Sequence, residues 1–203
     1  KESCPTFTNT NPALALLFQA CLEGLGKQYE LARRNPAREG APMYAVLDSR
    51  SRKRNGFIEW CEQWDIRWVG SRDKCIPDEV FRQPLDVIAT FLNTLYACDG
   101  WGYIKSGDEQ VQIGYGTASI TLARDVQHLL ARFGILSYLR EREHVRGDKV
   151  FIGYEVDIDS KHHVEKFIDE IGIYGKDLSQ VREIVRDSDW RCIGSDDVIP
   201  KRS

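Results

Sequence analysis

Residues 91–100, with the sequence FLNTLYACDG, decide the fold of this chain. Apolar residues recur at helical spacing behind Pro84, which predicts a helix that begins near residue 85. They are Leu85, Val87, Ile88, Phe91, Leu92 and Leu95. Asp99 ends this helix, and Gly100 can take the left-handed conformation with which many helices terminate. The pattern predicts a carboxylate held at the end of a packed helix, where it can bind a divalent metal ion.

The composition is typical of a globular protein. The chain has 203 residues, of which 42% are hydrophobic and 29% are charged, enough for a hydrophobic core in one or two domains. The net charge of −3 excludes a protein that is basic as a whole. Residues 28–54, however, hold seven basic and three acidic side chains, a local charge of +4. Because nucleic-acid binding needs a basic face and not a basic total, DNA or RNA remains a candidate partner.

The cysteines indicate a reducing, intracellular environment. The chain has six, at positions 4, 21, 61, 75, 98 and 192, and no two of them form a C-x-x-C pair. This scatter favours free thiols over a zinc site or a disulfide framework. Cys21, Cys61 and Cys98 fall inside apolar helical stretches, which predicts that their side chains are buried.

The chain contains an internal repeat. Residues 7–26, FTNTNPALALLFQACLEGLG, align without gaps with residues 115–134, YGTASITLARDVQHLLARFG. Leu14 then matches Leu122, and both segments end at a glycine. Each segment opens with residues suited to a helix N-cap and continues with apolar residues at helical spacing. The repeat therefore predicts two related helices, and with them two related halves.

The segments after the repeated helices also match, as two strands and a helix. In the first copy these elements are predicted over residues 29–33, 43–47 and 56–63. In the second copy they are predicted over residues 136–142, 150–158 and 161–171. The second copy is preceded by the 85–98 helix and by strands over 101–106 and 111–117. The complete unit is thus αββαββα, and the first copy is expected to lack its opening helix.

A second alignment of the two halves remains open. Residues 16–24, LLFQACLEG, can also be placed on residues 92–100. Glu23 then matches Asp99 and becomes a candidate second carboxylate. In this register the later strands and helices of the two halves no longer coincide.

Taken together, these features resemble the LAGLIDADG homing endonucleases, and especially the endonuclease domains inside inteins of replicative helicases of the DnaB type. The resemblance covers nearly the whole chain. Its motifs are CIPDEVFRQP (75–84), FLNTLYACDG (91–100), YGTASITLARDVQHLLARFGI (115–135), YEVDIDSKHHVEKFIDEIG (154–172) and DVIP (197–200).

The resemblance implies an α+β fold, a pseudo-two-fold repeat of αββαββα halves. Each half is expected to contribute a four-stranded antiparallel sheet, and the two sheets to form a saddle over the DNA major groove. The expected domains are a first, incomplete half over 1–65, a linker over 66–84, a second half over 85–175, and a C-terminal helix and tail over 176–203. The first signature helix is expected to come from flanking intein splicing segments or from a separate piece.

The resemblance also implies a reaction, the hydrolysis of phosphodiesters in double-stranded DNA with Mg²⁺ or Mn²⁺. Asp99 would bind the metal beside Gly100. A basic residue is expected where the last strand meets the following helix, which is Lys161 in the second half and Arg50 in the first. Such a cation would hold a water network or stabilise developing charge.

Polar side chains at solvent-facing strand positions are the expected DNA contacts. They are Tyr29, Arg33, Arg34, Tyr103, Lys105, Gln110, Gln112, Arg140, Arg142 and Lys149. Trp60, Trp64 and Trp68 recur every four residues, which predicts the packing face of a helix. One competing hypothesis is a degenerate LAGLIDADG module that binds DNA or RNA without cutting it. A plain α+β interaction domain is the other, but it leaves the repeat and the Asp-Gly helix unexplained.

Overall fold

The structure, a computed structural model, describes residues 4–34, 40–50, 54–66, 69–105 and 110–187. Its helices are α1 (Pro12–Leu25), α2 (Gly56–Gln63), α3 (Asp78–Phe81), α4 (Leu85–Asp99), α5 (Ile120–Arg132), α6 (Lys161–Glu170) and α7 (Ser179–Asp187). Its strands are β1 (Thr6–Thr8), β2 (Tyr29–Arg33), β3 (Met43–Asp48), β4 (Gly100–Lys105), β5 (Gln110–Thr117), β6 (Tyr138–Arg146) and β7 (Lys149–Ile158). None of these helices is both long enough and apolar enough to cross a lipid bilayer. The α+β class predicted from the sequence is confirmed.

The strands form two antiparallel sheets, one in each half. The larger has the order β4-β5-β7-β6 and the smaller the order β1-β3-β2. Helix α1 connects β1 to β2 as α5 connects β5 to β6, so the smaller sheet repeats three strands of the larger one. This correspondence supports the alignment of residues 7–26 with 115–134, and not the one that places Glu23 on Asp99.

The expectation of four strands in both sheets is wrong for the first half over the described residues. The counterpart of β4 is the strand that is missing from the smaller sheet. In the second half, β4 follows directly from α4. The described residues of the first half begin after the positions that correspond to this helix and strand. Trp68, the tail from residue 188 onward and the DVIP motif (197–200) lie outside the described residues.

The main hydrophobic core lies between the inner face of the larger sheet and its helices. Strand residues Ile113, Tyr115 and Ile158 are buried there against helical residues such as Leu92 and Phe167. Leu14 of α1 belongs to the same core, which joins the first half to the second. A second, smaller core packs α1 and α2 on the smaller sheet through Leu22, Tyr29, Val46 and Phe57.

Strands β6 and β7 continue as a two-stranded ribbon beyond the edge of the larger sheet. The last pair between β5 and β7 is Thr117 with Tyr154, whereas Val145 still pairs with Val150 further along the ribbon. The sequence alternation predicted Val150 on the buried face, but this side chain is 57% exposed. The prediction is wrong at this end because β5 stops before it can cover Val150.

Two of the cysteines that were predicted to be buried are exposed. Cys21 and Cys98 lie on the solvent side of α1 and α4, and Cys61 of α2 is partly buried. Both helices carry apolar residues on more than one face, so hydrophobic spacing alone did not identify the side that packs.

A charged network closes the junction between β3 and α2. Asp48 accepts a hydrogen bond from the Gly56 amide at 2.8 Å and two from the Arg50 side chain at 3.0 and 2.8 Å. Arg50 also donates to the Tyr29 hydroxyl at 2.9 Å. These bonds, led by that from Arg50, hold the pKa of the Asp48 carboxyl far below its usual range, although burial acts in the opposite direction.

The Asp48→Asn variant is expected to lose about 2 kcal/mol of unfolding free energy at pH 7, because a charge-assisted hydrogen bond contributes about that much. The folded state depresses the pKa of Asp48, so its stabilising effect is complete above the unfolded value near 4 and declines as the pH falls below it. The gap between wild type and variant should therefore narrow at acid pH.

Urea unfolding at pH 7 and at pH 2.5 measures this gap, with the exposed Glu165→Gln variant as a matched control. A gap of the same size at both pH values would contradict the assignment of stability to the ionised Asp48.

Candidate active site

Asp99 is the last residue of α4, and its side chain is exposed. The chain passes from it directly into β4, because the Gly100 amide still donates to the Tyr96 carbonyl while Gly100 already pairs with Tyr115. The helix is fixed below this point by Leu92 and Tyr96, both completely buried in the main core. The fold thus holds the Asp99 backbone rigidly and leaves its carboxylate open to solvent.

Gly100 does not take the left-handed conformation that the sequence suggested. Its φ of −96° and ψ of 166° are extended, as expected for the first residue of β4. Glycine is needed here for space, since a Cβ atom would lie 2.6 Å from the Tyr96 carbonyl oxygen. Glycine follows Asp99 because α4 and β4 approach each other closely at this point, and not because the chain makes a left-handed turn there.

Lys176 reaches this site from the segment between α6 and α7, and no pattern in the sequence indicates this position. Its ammonium group donates a hydrogen bond to the Gly100 carbonyl oxygen. Burial lowers the pKa of Lys176, while Cys98 and Asp99 act in the opposite direction. The basic group at this site therefore comes from a residue 76 positions beyond Gly100 in the chain.

An apolar groove of about 490 Å³ begins at Asp99 and runs along α4. Phe91 and Leu95 line the groove. Positions 91, 95 and 99 follow one another at intervals of four residues, so these two side chains share one face of α4 with Asp99. Trp60 and Trp64 at the end of α2 line the groove as well. Their ring centroids lie 6.2 Å apart, but the predicted helix face is wrong beyond Trp60, because α2 ends at Gln63 and Trp64 is its C-cap.

Helix α4 is apolar on two faces. One face, with Ile88, Leu92 and Tyr96, is buried in the main core. The face with Phe91 and Leu95 is only partly covered and borders the groove. A helix that is apolar on more than one side is built to be buried on more than one side.

Asp99 and Gly100 carry oxygen donors of the kind that a magnesium site uses. The Asp99 carboxylate and the Gly100 carbonyl are both hard oxygen donors, but Lys176 occupies the carbonyl in this structure. The described residues contain no group of three or more His, Cys, Asp or Glu side chains placed to hold a metal ion. Mg²⁺ suits such a sparse donor set, because it keeps several waters and takes phosphate oxygens from its substrate.

The two predicted basic residues lie in other parts of the fold. Lys161 is the first residue of α6. The hydrogen bond from Arg186 lowers the pKa of the Asp187 carboxyl, and the charge of Lys161 adds to this effect. Arg50 lines a separate cavity with Asp48, Glu30 and Asn55. The catalytic roles of Lys161 and Arg50 stay predictions.

The predicted DNA contacts divide between the two sheets. On the larger sheet, Tyr103, Arg140, Arg142 and Lys149 are solvent-accessible, and Lys105 pairs with Gln110 across β4 and β5. On the smaller sheet, Arg33 and Arg34 are exposed at the end of β2. The side chains of Lys105 and Gln110 are outside the described set.

The expectation that all these positions face solvent is wrong for Tyr29 and Gln112. Tyr29 is buried because its strand face packs on Phe57 of α2, with ring centroids 6.3 Å apart. Gln112 is buried although it lies on the outer face, opposite Ile113 and Val111. Neighbouring side chains cover it, and the Tyr103 hydroxyl donates a hydrogen bond to its Oε1 at 2.7 Å.

The comparisons with known proteins agree with this architecture. Residues 86–172, from α4 to the end of the second half, match the family model of the LAGLIDADG-like domain. This match identifies residues 86–172 as a LAGLIDADG-like domain, which belongs to the homing-endonuclease type of DNA-binding or DNA-cleaving domains.

Several curated relatives share a segment with this chain. The replicative DNA helicase DnaB of Rhodothermus marinus is 35% identical over 124 residues, which cover 61% of this chain and 13% of that protein. The replicative DNA helicase DnaB of a Nostoc species is 31% identical over 178 residues, 83% of this chain and 20% of that protein. The replication factor C small subunit of Methanocaldococcus jannaschii is 28% identical over 183 residues, 90% of this chain and 9% of that protein. The chain thus spans a fifth or less of each.

Proposed function

We propose that this chain is the DNA-cleaving part of an intein-encoded homing endonuclease, which cuts both strands of a specific DNA site with Mg²⁺ or Mn²⁺. The observation that carries the proposal is Asp99, an exposed carboxylate at the end of a rigidly packed helix, with the Lys176 ammonium beside it. Arg140 and Arg142 supply basic side chains on the outer face of the adjoining sheet. This combination suits phosphodiester hydrolysis on a long DNA duplex.

The relatives support the proposal that this segment is an insert that moves between genes. The same segment is shared with a helicase and with a replication factor subunit, and it is only 9–20% of the Nostoc and Methanocaldococcus proteins. Proteins with different names that share one small segment are best explained by an insert that moves between genes. We infer that flanking splicing segments belong to the same insert, as in inteins.

Each residue at the site has a distinct part in the proposed reaction. The Asp99 carboxylate and the Gly100 carbonyl would hold the metal ion, which when bound polarises the phosphate and activates water. Lys176 would then leave the Gly100 carbonyl and offer its ammonium to negative charge that develops on the phosphate oxygens. The buried base of α4 keeps Asp99 in place while the DNA binds.

A second apolar helix is the proposed occupant of the groove along α4. Phe91 and Leu95 present a partly buried apolar face to the groove, and Trp60 and Trp64 line it as well. The first signature helix of the family, supplied by a flanking segment or a separate piece, matches this face in chemistry. It would bring a second carboxylate beside Asp99, so that each strand of the duplex has its own.

Cleavage of a plasmid that carries the uninterrupted helicase gene tests the proposal. The 203-residue chain is compared with the same chain joined to whatever segment its gene encodes ahead of Lys1. We expect Mg²⁺-dependent linear product from the longer form, and slower cutting but unchanged DNA binding in its Lys176→Met variant.

Three results are informative. Linear product from the longer form alone supports the two-helix site. Salt-sensitive binding without cleavage in both forms would indicate a degenerate DNA-binding module and would overturn the catalytic assignment. Absence of both binding and cleavage would leave the interaction-domain hypothesis.

A further inference from the structure

The outer face of the larger sheet holds one arginine between two carboxylates and an aromatic ring. Arg140 Nη1 lies 3.4 Å from Asp157 Oδ2, and Arg140 Nη2 lies 3.4 Å from Asp159 Oδ2. The guanidinium carbon is 5.7 Å from the centroid of the Tyr138 ring. The contact with Asp159 is a hydrogen bond and that with Asp157 is an ion pair without one, and together with the Tyr138 ring they limit the orientations open to the guanidinium.

Asp157 is buried, although it lies on the face of the sheet that points away from the helices. Its side chain is 0% exposed, whereas the Arg140 side chain is 38% exposed. Asp157 pairs with Gly114 on one side and with Tyr138 on the other. The Trp101 indole lies over Gly114 and Gly116, where a Cβ atom at position 114 would collide with it. The sheet thus places a carboxylate under cover on a surface otherwise suited to DNA.

Burial of the ionised Asp157 carboxylate costs folding free energy unless a partner compensates its charge. It raises the pKa of this carboxyl, against the opposing effects of the Gln112 amide and the Arg140 guanidinium. Among the described residues, Arg140 is the only cation that lies within ion-pair distance of Asp157. The ion pair therefore attracts the guanidinium towards Asp157, while 38% of the Arg140 side chain stays accessible.

The charge of this cluster disfavours a phosphate and favours a base. With both acids ionised, Asp157, Asp159 and Arg140 carry a net charge of −1, which repels a phosphate oxygen. Each terminal nitrogen of arginine carries two N–H groups, so one contact on each nitrogen leaves a second N–H on each. Two parallel N–H donors match the O6 and N7 acceptors of guanine in the major groove.

Arg142 offers a contrast on the same strand. Its side chain is 47% exposed, and its Nε pairs with Glu155 at 2.8 Å, with no second carboxylate in ion-pair distance in the part of the chain that the structure describes. It lies one position further along this face of β6, where it is less enclosed. Arg142 therefore serves as a matched control for Arg140.

We propose that Arg140 reads a guanine of the target DNA, and that Asp157 and Asp159 are positioning residues that hold its guanidinium for this contact. The inference rests on the proposed function, since it requires a specific duplex. It adds a base preference and a positioning pair at β6, the edge strand of the larger sheet, and at the end of β7.

Selection from a library of duplexes with a randomised core tests this inference. Wild-type protein and the variants Arg140→Lys, Asp157→Asn and Arg142→Lys each select bound duplexes, which are then sequenced. Lysine keeps the charge but loses the planar pair of donors, so Arg140→Lys should lose about tenfold or more in preference for guanine at one position. Asp157→Asn should relax the same position, while Arg142→Lys, at another predicted DNA contact, should keep the guanine at that position and alter selection only at other base pairs.

Thermal unfolding checks that each variant is folded, and the more exposed Asp159→Asn replaces Asp157→Asn if the latter is not. A selected site whose guanine preference survives in Arg140→Lys would overturn this inference alone. The same holds if folded Asp157→Asn and Asp159→Asn both select like wild type. If the wild type selects no sequence at all, the proposed function fails together with the inference.

Discussion

The Asp99→Asn variant is expected to lose DNA cleavage by roughly a thousandfold, because a metal ion contributes several kcal/mol to such a reaction. Asparagine has the same shape but no negative charge, so it binds Mg²⁺ poorly. DNA binding and stability should be unchanged, since Asp99 is exposed and its side chain supports no part of the core. Single-turnover cleavage rates at saturating Mg²⁺, measured beside equilibrium binding to the same duplex, separate the two effects.

Asp86→Asn is the matched control for this experiment. Asp86 is an exposed carboxylate in the first turn of the same helix, and so lies at the opposite end of α4 from the site. Its replacement should leave the cleavage rate within about twofold of wild type, since surface changes away from a site cost little. Equal losses in both variants would show that α4 and not the Asp99 carboxylate is what the reaction needs.

Local sequence signals predicted most of the elements. Strand β2 and helix α2 have the predicted bounds, Tyr29–Arg33 and Gly56–Gln63. Asn55 explains where α2 begins, because it is the N-cap and its side chain accepts a hydrogen bond from the Phe57 amide. Helix α4 likewise ends at Asp99, one residue beyond its prediction, because the Asp-Gly pair marks the end of the apolar pattern.

The composition of the site depends on contacts between distant residues. Lys176 meets Gly100 across 76 positions, and no pattern in its own segment indicates this. Alternation along β2 divides its residues into two faces but does not tell which face meets α2, so Tyr29 was assigned to the wrong one. Gln112 is on the expected face, but cross-strand neighbours such as Tyr103 bury it. Periodicity identifies faces, and tertiary packing decides what covers them.

Tyr96 carries the second large effect, because α4 is fixed to the core through its ring. The ring centroid lies 5.5 Å from that of Tyr115 and 4.8 Å from that of Phe167, and the side chain is completely buried. Tyr96→Ala is expected to lower the unfolding free energy by about 3–5 kcal/mol, as for other large aromatic residues in cores. Urea unfolding followed by circular dichroism measures this loss.

Tyr96→Phe keeps the ring and tests the hydroxyl alone. The hydroxyl oxygen is buried and has no hydrogen-bond partner among the residues that the structure describes. A buried polar group without a partner costs about 1–3 kcal/mol, so its removal should leave stability equal or higher. The unfolding free energy of Tyr96→Phe is thus expected at or above that of wild type.

The two variants together separate the support of Asp99 from its chemistry. Tyr96→Phe should cut DNA at the wild-type rate, whereas Tyr96→Ala should lose cleavage only in proportion to its unfolded fraction, with activity recovering at lower temperature. A Tyr96→Phe variant that is several kcal/mol less stable would mean that the hydroxyl has a partner after all. The Gly100 amide donates its hydrogen bond to the main-chain carbonyl of Tyr96. Neither substitution changes this carbonyl, so both variants keep the hydrogen bond that ends the helix at Asp99.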